Sequence, residues 1–254
     1  MLEAVQLSKR YSSIPAVQDL SFTLRPGEVL GCLGPNGSGK STTVKMLTGL
    51  LEPTRGRVYF DGRNIQDNLA EYRTHLGYVP EEAHLYPYLT GWEYLEMIGT
   101  LRGVPRPLME SKINALLELF SLLPARHAAM GTYSKGMRQR ILLIASLMHD
   151  PEIFIFDEPL SGLDVTSALI FKNLVQTLGR SGKMVIYCSH VLEVVEKVCT
   201  DVLILRKGTV IAHDSVANIG KILGASLENT FLHLVDDVDT VRVASDIVNV
   251  MRAA

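Results

Sequence analysis

Apolar residues recur along the chain in short stretches whose spacing alternates between that of a strand and that of a helix. The stretches IFIF (153–156) and MVIYC (184–188) are continuously apolar, as expected for parallel strands that are covered on both faces. Strands are predicted at 3–7, 16–24, 28–34, 57–62, 76–80, 153–159, 184–190 and 202–213. Helices are predicted at roughly 40–50, 90–102, 107–120, 136–148, 166–179, 191–198 and 238–251. This mixture predicts an α/β core with a parallel central sheet.

The segment 84–150 differs from the rest of the chain because it contains no good strand. Its helical periods follow one another and are separated by glycine and proline residues. We therefore predict an all-helical insertion at 84–150 within an α/β core formed by 1–83 and 151–225. The remainder, 226–254, is predicted to be a small helical tail, since one helical face carries Val241, Ala244, Val248 and Met251.

The composition describes an ordinary globular protein, with 254 residues, 47% apolar residues, 20% charged residues and a formal net charge of -2. The slightly acidic balance argues against a general nucleic-acid binder, so no nucleic-acid partner is expected. The three cysteines lack CxxC spacing, which favours reduced thiols and a cytosolic location. No apolar run approaches the roughly 20 residues that a membrane span needs, and the N-terminus lacks the layout of a signal peptide.

The most specific motif is GPNGSGKST, which follows an apolar strand, opens a predicted helix and matches the phosphate-loop pattern G-x-x-x-x-G-K-[ST]. Its glycines allow backbone N–H groups to turn inward around an anion, and the helix N-terminus adds partial positive charge. Lys40 is expected to reach the β- and γ-phosphates and Ser41 to bind Mg²⁺; the alternative is a glycine-rich turn without a ligand. The predicted nucleotide-binding residues are Gly34, Pro35, Asn36, Gly37, Ser38, Gly39, Lys40, Ser41 and Thr42.

A second candidate element is IFIFDEP, an apolar strand that ends in two acidic residues. Burying a carboxylate is costly unless it meets a cation. Asp157 is therefore predicted to hold Mg²⁺ through its water shell, which is the Walker B role. Glu158 is predicted to lie beside the γ-phosphate and to accept a proton from an attacking water. The pattern is weak evidence by itself and becomes strong when it is paired with the phosphate loop.

Three classes of phosphate-loop enzyme compete for this chain. A GTPase would be expected to show an N-K-x-D sequence, which is absent, and a small-molecule kinase would leave YSKGMRQR (133–140) and SGLD (161–164) unexplained. These two motifs, with Tyr11, GYVPEE and CSH, form an ordered set that resembles the ATP-binding subunit of ABC transporters up to about residue 225. The resemblance implies a P-loop NTPase fold with a mostly parallel RecA-like sheet, an N-terminal antiparallel β-subdomain and an all-helical insertion.

The resemblance also implies roles for residues outside the phosphate loop. Tyr11 would stack on adenine, and His190 would contact the γ-phosphate; the alternatives are an ordinary strand-end tyrosine and a structural histidine. YSKGMRQR resembles the family signature, in which Ser134 and Gly136 would cap the ATP held by the phosphate loop of a second subunit. Asp164, in SGLD, would cross to that subunit and connect the two ATP sites.

The signature departs from the usual LSGGQ pattern at two positions, where Lys135 replaces a glycine and Met137 replaces the glutamine. Lys135 either adds a charge-assisted contact with phosphate or points to solvent. Arg138 and Arg140 are expected to stabilise the surroundings of the helix and not to bind nucleotide.

A further departure is Glu81, which stands where the family has a glutamine facing Mg²⁺ and the attacking water. A carboxylate could bind Mg²⁺ directly, since hard cations prefer anionic oxygen. The predicted metal ligands are thus Ser41, Glu81 and Asp157. The stretch that follows is expected to dock a helix of a membrane subunit, or else to pack the helical insertion, through the aromatic residues Tyr86, Tyr88, Trp92 and Tyr94.

The predicted function is that of an ATPase subunit that dimerises around two Mg-ATP and powers export by a separately encoded transmembrane permease. The partner in the ATP sandwich would be a second copy or a paralogous subunit, and the protein would lie on the cytoplasmic face of the membrane. The alternative is a non-transport ABC ATPase of DNA repair or translation. Repair members carry long coiled-coil insertions and translation members join two cassettes, and this chain has neither feature.

Overall fold

The computed structural model describes residues 1–82 and 84–222, together with three isolated positions at 242, 245 and 251. The predicted tail helix at 238–251 lies, apart from those positions, outside the described residues. The strands are β1 (Leu2–Tyr11), β2 (Ile14–Leu24), β3 (Val29–Leu33), β4 (Arg55–Phe60), β5 (Arg63–Asn64), β6 (Leu76–Val79), β7 (Ile153–Asp157), β8 (Met184–Cys188), β9 (Asp201–Arg206) and β10 (Thr209–Ser215).

The helices alternate with the strands of the larger sheet or lie together between β6 and β7. They are α1 (Lys40–Leu47), α2 (Leu69–Thr74), α3 (Gly91–Leu101), α4 (Arg106–Leu119), α5 (Lys135–Leu147), α6 (Val165–Arg180), α7 (Leu192–Val198) and α8 (Val216–Ile222). Short 3₁₀ turns lie at Ile65–Asn68, Leu123–Ala125 and Met130–Thr132.

Two sheets form the core. The six-stranded sheet has the order β10-β9-β3-β8-β7-β6, in which only the edge strand β10 is antiparallel to its neighbour among the described pairings. The four-stranded sheet has the order β2-β1-β4-β5, and its pairs are antiparallel. The predicted α/β class with a mostly parallel sheet and a separate antiparallel sheet is confirmed.

The parallel strands are buried on both faces, which explains why their sequences are apolar without interruption. Ile153 and Ile155 of β7 point into a core that also contains α1 and the antiparallel sheet. Phe154 and Phe156 of the same strand point into a second core with α6 and α7. A third core lies within α3, α4 and α5, where Leu95 is among the fully buried residues.

Each predicted strand is present, and three short elements were not predicted. These are the two-residue strand β5 and the helices α2 and α8, which are too short to show a clear helical period. Between 84 and 150 the described residues form helices and turns, with one isolated bridge between Thr90 and Ala129. The domain boundaries themselves remain predictions. Over the described part of the chain, no helix has the length and apolar character required to span a membrane.

Candidate nucleotide-binding site

The phosphate loop connects the carboxyl end of β3 to the first turn of α1. Gly39 lies at the N-cap of α1 with φ 107°, a left-handed conformation that favours glycine. A Cβ atom there would lie 2.7 Å from the backbone oxygen of Ala16, so a side chain could not be accommodated without movement of β2. Gly37 also has a left-handed backbone, with φ 78°, although a Cβ atom there would meet no neighbouring atom within 4 Å. The loop therefore brings backbone N–H groups and a helix N-terminus to one exposed edge of the sheet.

Lys40 crosses this loop. Its Nζ atom donates to the carbonyl oxygens of Gly34 at 2.6 Å and Pro35 at 3.2 Å, and the side chain is buried. The hydroxyl of Ser38 is buried with no hydrogen-bond partner in the described part of the chain, and the same is true of Thr43. Buried polar atoms without partners are uncommon, and here they lie in or directly after a loop whose sequence predicts phosphate binding.

A cavity of about 370 Å³ opens beside the loop. It brings together most of the predicted loop residues and the three predicted acidic residues, Glu81, Asp157 and Glu158. Glu81 follows β6, Asp157 is the last residue of β7 and Glu158 comes directly after it. The three carboxylates therefore come from neighbouring parallel strands that end at the same edge. The full lining is Ala16, Asn36, Gly37, Gly39, Lys40, Ser41, Thr42, Glu81, Asp157 and Glu158.

Asp157 ends β7 in a buried position. Burial, with the neighbouring carboxylates Glu81 and Glu158, raises the pKa of Asp157 from 3.8 to about 6, although Lys40 and Lys45 act in the opposite direction. The cavity is therefore an acidic environment in which a cation would favour the ionised form of Asp157.

The residues of the cavity fit a magnesium ion that is bound together with phosphates. Within the described ranges, no group of three or more His, Cys, Asp or Glu side chains is placed to hold a metal by itself. Mg²⁺ usually takes one or two protein oxygens and completes its shell with water and substrate phosphate. Asp157, the hydroxyl of Ser41 and Glu81, which all line the cavity, supply such a partial set.

Glu158 has a left-handed backbone with φ 47°, and its side chain makes two contacts with the end of β8. Its N–H donates to the carbonyl oxygen of Cys188 at 3.0 Å. One carboxylate oxygen, Oε1, lies 2.9 Å from Nδ1 of His190, and the other, Oε2, accepts from the hydroxyl of Ser189 at 3.4 Å. Sequence reasoning assigned His190 to the γ-phosphate and did not identify Ser189. In the structure His190 contacts Glu158 and does not line the cavity.

Tyr11 lies at the end of β1, in the hairpin where it pairs with Ile14 of β2. Its side chain is 49% exposed, and Nζ of Lys9 lies 5.9 Å from the ring centroid. The ring is outside the lining of the cavity, although Ala16 of the same hairpin belongs to it. An exposed tyrosine of this kind can offer a ring face to a base.

The signature residues lie outside the cavity. Ser134 is the N-cap of α5, where its hydroxyl accepts from the N–H of Met137 at 3.2 Å. Gly136 packs against the loop that follows β7: a Cβ atom on Gly136 would lie 2.5 Å from the backbone oxygen of Gly162. Lys135 runs along the other side of Gly162 and is exposed.

Asp164 also lies outside the cavity and acts as a helix cap. Its carboxylate accepts from the N–H of Ser167 at 2.8 Å and from the hydroxyl of that residue at 2.7 Å, at the start of α6. These hydrogen bonds hold the pKa of Asp164 below its usual value. The structure thus gives Asp164 a structural partner that the motif did not indicate.

Arg138 and Arg140 of the signature helix, which are predicted to stabilise its surroundings, bond to nearby backbone carbonyl groups. Arg138 donates to the carbonyl oxygens of Met130 and Gly131, and Arg140 donates to that of Phe120. Sequence reasoning missed Gln139, which is buried and whose Nε2 atom donates to the carbonyl oxygen of Pro159. No local sequence signal marks this contact, because it joins α5 to a loop 20 residues away.

The segment after β6 contains two neighbouring acidic residues and four aromatic residues, and the members of each set lie in different environments. Glu81 lines the cavity, whereas Glu82 lies 3.4 Å from Nε2 of His84 and is outside it. Tyr86 and Tyr88 are 60% and 92% exposed. By contrast, Tyr94 is buried in the helical core and Trp92 packs against that core.

Comparison with known proteins identifies the family. A family model described as ABC transporter matches residues 17–161, which is more than half of the chain. The ABC transporter ATP-binding protein NatA of Bacillus subtilis (strain 168) is 35% identical over 224 residues, covering 86% of this chain and 91% of the relative. The linearmycin resistance ATP-binding protein LnrL of the same strain is 37% identical over 224 residues, covering 88% and 72%.

A solved structure of an ATP binding subunit of an ABC transporter superposes with a TM-score of 0.87 at 30% identity, covering 92% of this chain and 99% of that chain. The extended match includes the loop, the acidic strand end and the helical segment between them. The protein belongs to the ABC transporter family, as an ATP-binding subunit that hydrolyses ATP.

Proposed function

We propose that the cavity beside the phosphate loop binds Mg-ATP and that Glu158 is the general base of hydrolysis. The observation that carries this assignment is the meeting of the loop, Lys40 and three carboxylates in one cavity. The N–H groups of the loop and the start of α1 would hold the phosphates. Ser41 and Asp157 would hold Mg²⁺, which neutralises phosphate charge, and Tyr11 would stack on adenine.

In this mechanism Glu158 accepts a proton from the water that attacks the γ-phosphate. Glu158 lines the cavity directly after β7, and two side-chain contacts hold its carboxylate there. His190 contributes by holding one carboxylate oxygen of Glu158, and a proton could leave along this contact toward the exposed imidazole. Lys40 would exchange its carbonyl contacts for phosphate oxygens, which are stronger acceptors.

The second ATP contact is proposed to come from another copy of the chain or from a paralogous subunit. Ser134, Gly136 and Asp164 lie outside the cavity of their own chain, and Ser134 and Asp164 are exposed. A head-to-tail pair would place the start of α5 of one subunit over the cavity of the other. The N-terminus of α5 then offers N–H groups and the Ser134 hydroxyl to the γ-phosphate.

The transmembrane partner is proposed to be a separately encoded permease that this subunit powers for export from the cytoplasmic face of the membrane. The name of the relative LnrL, a linearmycin resistance protein, supports export because resistance can follow from removal of a toxic compound. Tyr86 and Tyr88 would form part of the docking surface, since both are exposed and follow Glu81 within a few residues of the chain. The segment 84–150 would act as the helical subdomain that moves with the permease.

The substitution Glu158→Gln tests the proposal. The amide keeps the shape of the side chain and loses the base, so hydrolysis should fall by about 10²–10⁴-fold while ATP still binds. Trapped ATP should then hold two subunits together, as measured by size-exclusion chromatography with Mg-ATP. A variant that turns over like the wild type, or that binds ATP and stays monomeric, would contradict the proposal.

A further inference from the structure

Three consecutive residues at the end of β8 each contact Glu158. The carbonyl oxygen of Cys188 accepts its N–H, the hydroxyl of Ser189 donates to Oε2, and Nδ1 of His190 lies against Oε1. The backbone N–H and both carboxylate oxygens of Glu158 are thereby held by the end of a single strand. Since β8 is the immediate neighbour of β7 in the sheet, this arrangement is rigid at its base.

The contacts of Ser189 and His190 differ in their freedom to move. His190 has a side chain that is 72% exposed, so its contact with Glu158 can break and re-form in solvent. Ser189 is 2% exposed, and its Oγ atom also accepts the N–H of Val191 at 3.1 Å. That second bond occupies a lone pair of the hydroxyl and leaves its proton for Oε2 of Glu158. The distance of 3.4 Å is long, as hydrogen bonds of catalytic groups often are before substrate is bound.

We infer that Ser189 is a positioning residue that fixes the carboxylate of Glu158 in the orientation required for proton abstraction. This inference rests on the proposed role of Glu158 as the general base. A glutamate side chain has three torsions. The strained backbone of Glu158 fixes the position of its Cα atom but leaves these torsions free. A buried hydroxyl that holds Oε2 restricts the remaining torsions, whereas His190 at Oε1 remains free to respond to the nucleotide or to the partner subunit.

The test measures kcat and the KM for ATP in Ser189→Ala, Ser189→Thr and Ser189→Cys. Ser189→Ala should lower kcat about tenfold, the scale of one hydrogen bond to a charged group, and change KM less than twofold. Ser189→Thr keeps the hydroxyl and should restore kcat to within about twofold, and the weaker thiol donor of Ser189→Cys should give an intermediate value. Ser146→Ala is the matched control, since Ser146 is another buried serine, whose hydroxyl bonds the carbonyl oxygen of Leu143.

The decisive arm combines Ser189→Ala with Glu158→Gln. If Ser189 acts through Glu158, the double variant should hydrolyse ATP no more slowly than Glu158→Gln alone in single-turnover assays. A further tenfold loss in the double variant, or an unchanged kcat in Ser189→Ala, would overturn the inference. If Ser189→Ala does not fold, the kcat values of Ser189→Thr and Ser189→Cys test the inference instead. A kcat for Ser189→Cys equal to that of the wild type would overturn the inference. Failure of the proposed function is separate, because it would appear as wild-type turnover in Glu158→Gln itself.

Discussion

The two halves of the proposed ATP site are built in opposite ways. The half beside the phosphate loop is a cavity lined by three carboxylates, with a lysine that contacts carbonyl oxygens. Two buried hydroxyl groups in or directly after the loop have no hydrogen-bond partner among the residues that the structure describes. The half that begins α5 has satisfied groups: Ser134 caps its own helix, and Asp164 caps α6. One half therefore holds polar groups in an unfavourable arrangement that a ligand would relieve, and the other is a stable surface.

This difference indicates where binding free energy would come from. Mg-ATP bound to the first half would supply a cation to the carboxylates and hydrogen-bond acceptors to Lys40 and the loop. It would therefore relieve the repulsion between carboxylates and the lack of partners for buried polar groups in the free protein. The second half needs no ligand for its own stability. It would be selected for its shape and positive helix terminus, and it becomes useful only when it faces a nucleotide held elsewhere.

Of the four substitutions that compare the two halves, the largest effect is expected from a charge placed on the second half. Ser134→Asp should keep the helix cap, because aspartate is a good N-cap, and should repel the γ-phosphate of the other subunit. We expect ATPase activity to fall by about 100-fold or more, with an unchanged melting temperature. Ser134→Asn is the matched neutral control and should keep most of the activity. Equal activity of the two variants would show that the start of α5 does not face phosphate.

Tyr11→Ala sharpens the description of the first half. Loss of a ring that stacks on adenine should weaken binding by about 1–3 kcal/mol, whereas Tyr11→Phe should be nearly silent because stacking needs the ring alone. Titration with ATP and, as a control, with inorganic triphosphate separates base from phosphate recognition. Large losses in both variants would mean that Tyr11 is structural.

Asp157→Asn tests whether the carboxylates of the first half destabilise the fold when no ligand is bound. The pKa of Asp157 is raised from 3.8 to about 6 in the fold, so ionisation is harder in the folded than in the unfolded chain. The resulting destabilisation develops as the pH rises between these values and is complete above about pH 6. Without Mg-ATP, Asp157→Asn should therefore have a free energy of unfolding that is higher than that of the wild type by up to about 3 kcal/mol near neutral pH.

The difference in free energy of unfolding between Asp157→Asn and the wild type should shrink as the pH falls toward 3.8, where both folded proteins carry a neutral side chain at this position. Thermal unfolding at a series of pH values measures it. With Mg-ATP present the order should reverse, since the amide is a poor metal ligand. A variant that is less stable than the wild type at every pH would contradict the electrostatic account.

Glu81→Gln should give the smallest effect. It installs the glutamine expected from the family resemblance and replaces the predicted anionic ligand with a neutral one, so the Mg²⁺ concentration for half-maximal activity should rise several-fold. Glu82→Gln is the control, because Glu82 lies outside the cavity near His84. A shift in Glu82→Gln alone would assign the metal contact to the neighbouring acid.

The sequence predicted the fold well because its signals were local and strong. Continuous apolar runs marked β7 and β8, and the phosphate-loop motif placed the cavity between β3 and α1. The helices α2 and α8 were missed because six or seven residues carry too little periodicity.

The fine structure of the site could not be predicted from local signals. Ser189 and His190 reach Glu158 across a sequence separation of about 30 residues, through the pairing of β7 with β8. Gln139 likewise meets the carbonyl oxygen of Pro159 only because α5 packs against the loop after β7. The motif identified Asp164 and Ser134, but their capping bonds depend on where the helices begin.

The central claim is that the two halves belong to one ATP site only when they come from different subunits. Mixing two inactive variants tests it most directly: Lys40→Ala, which damages the first half, and Ser134→Asp, which damages the second. In a head-to-tail pair one of the two sites would combine an intact cavity with an intact signature, so ATPase activity should return on mixing and should peak at equal concentrations. If each chain completed its own site, no mixture would contain an intact site. Activity that stays at the level of the separate variants at every ratio would contradict the account.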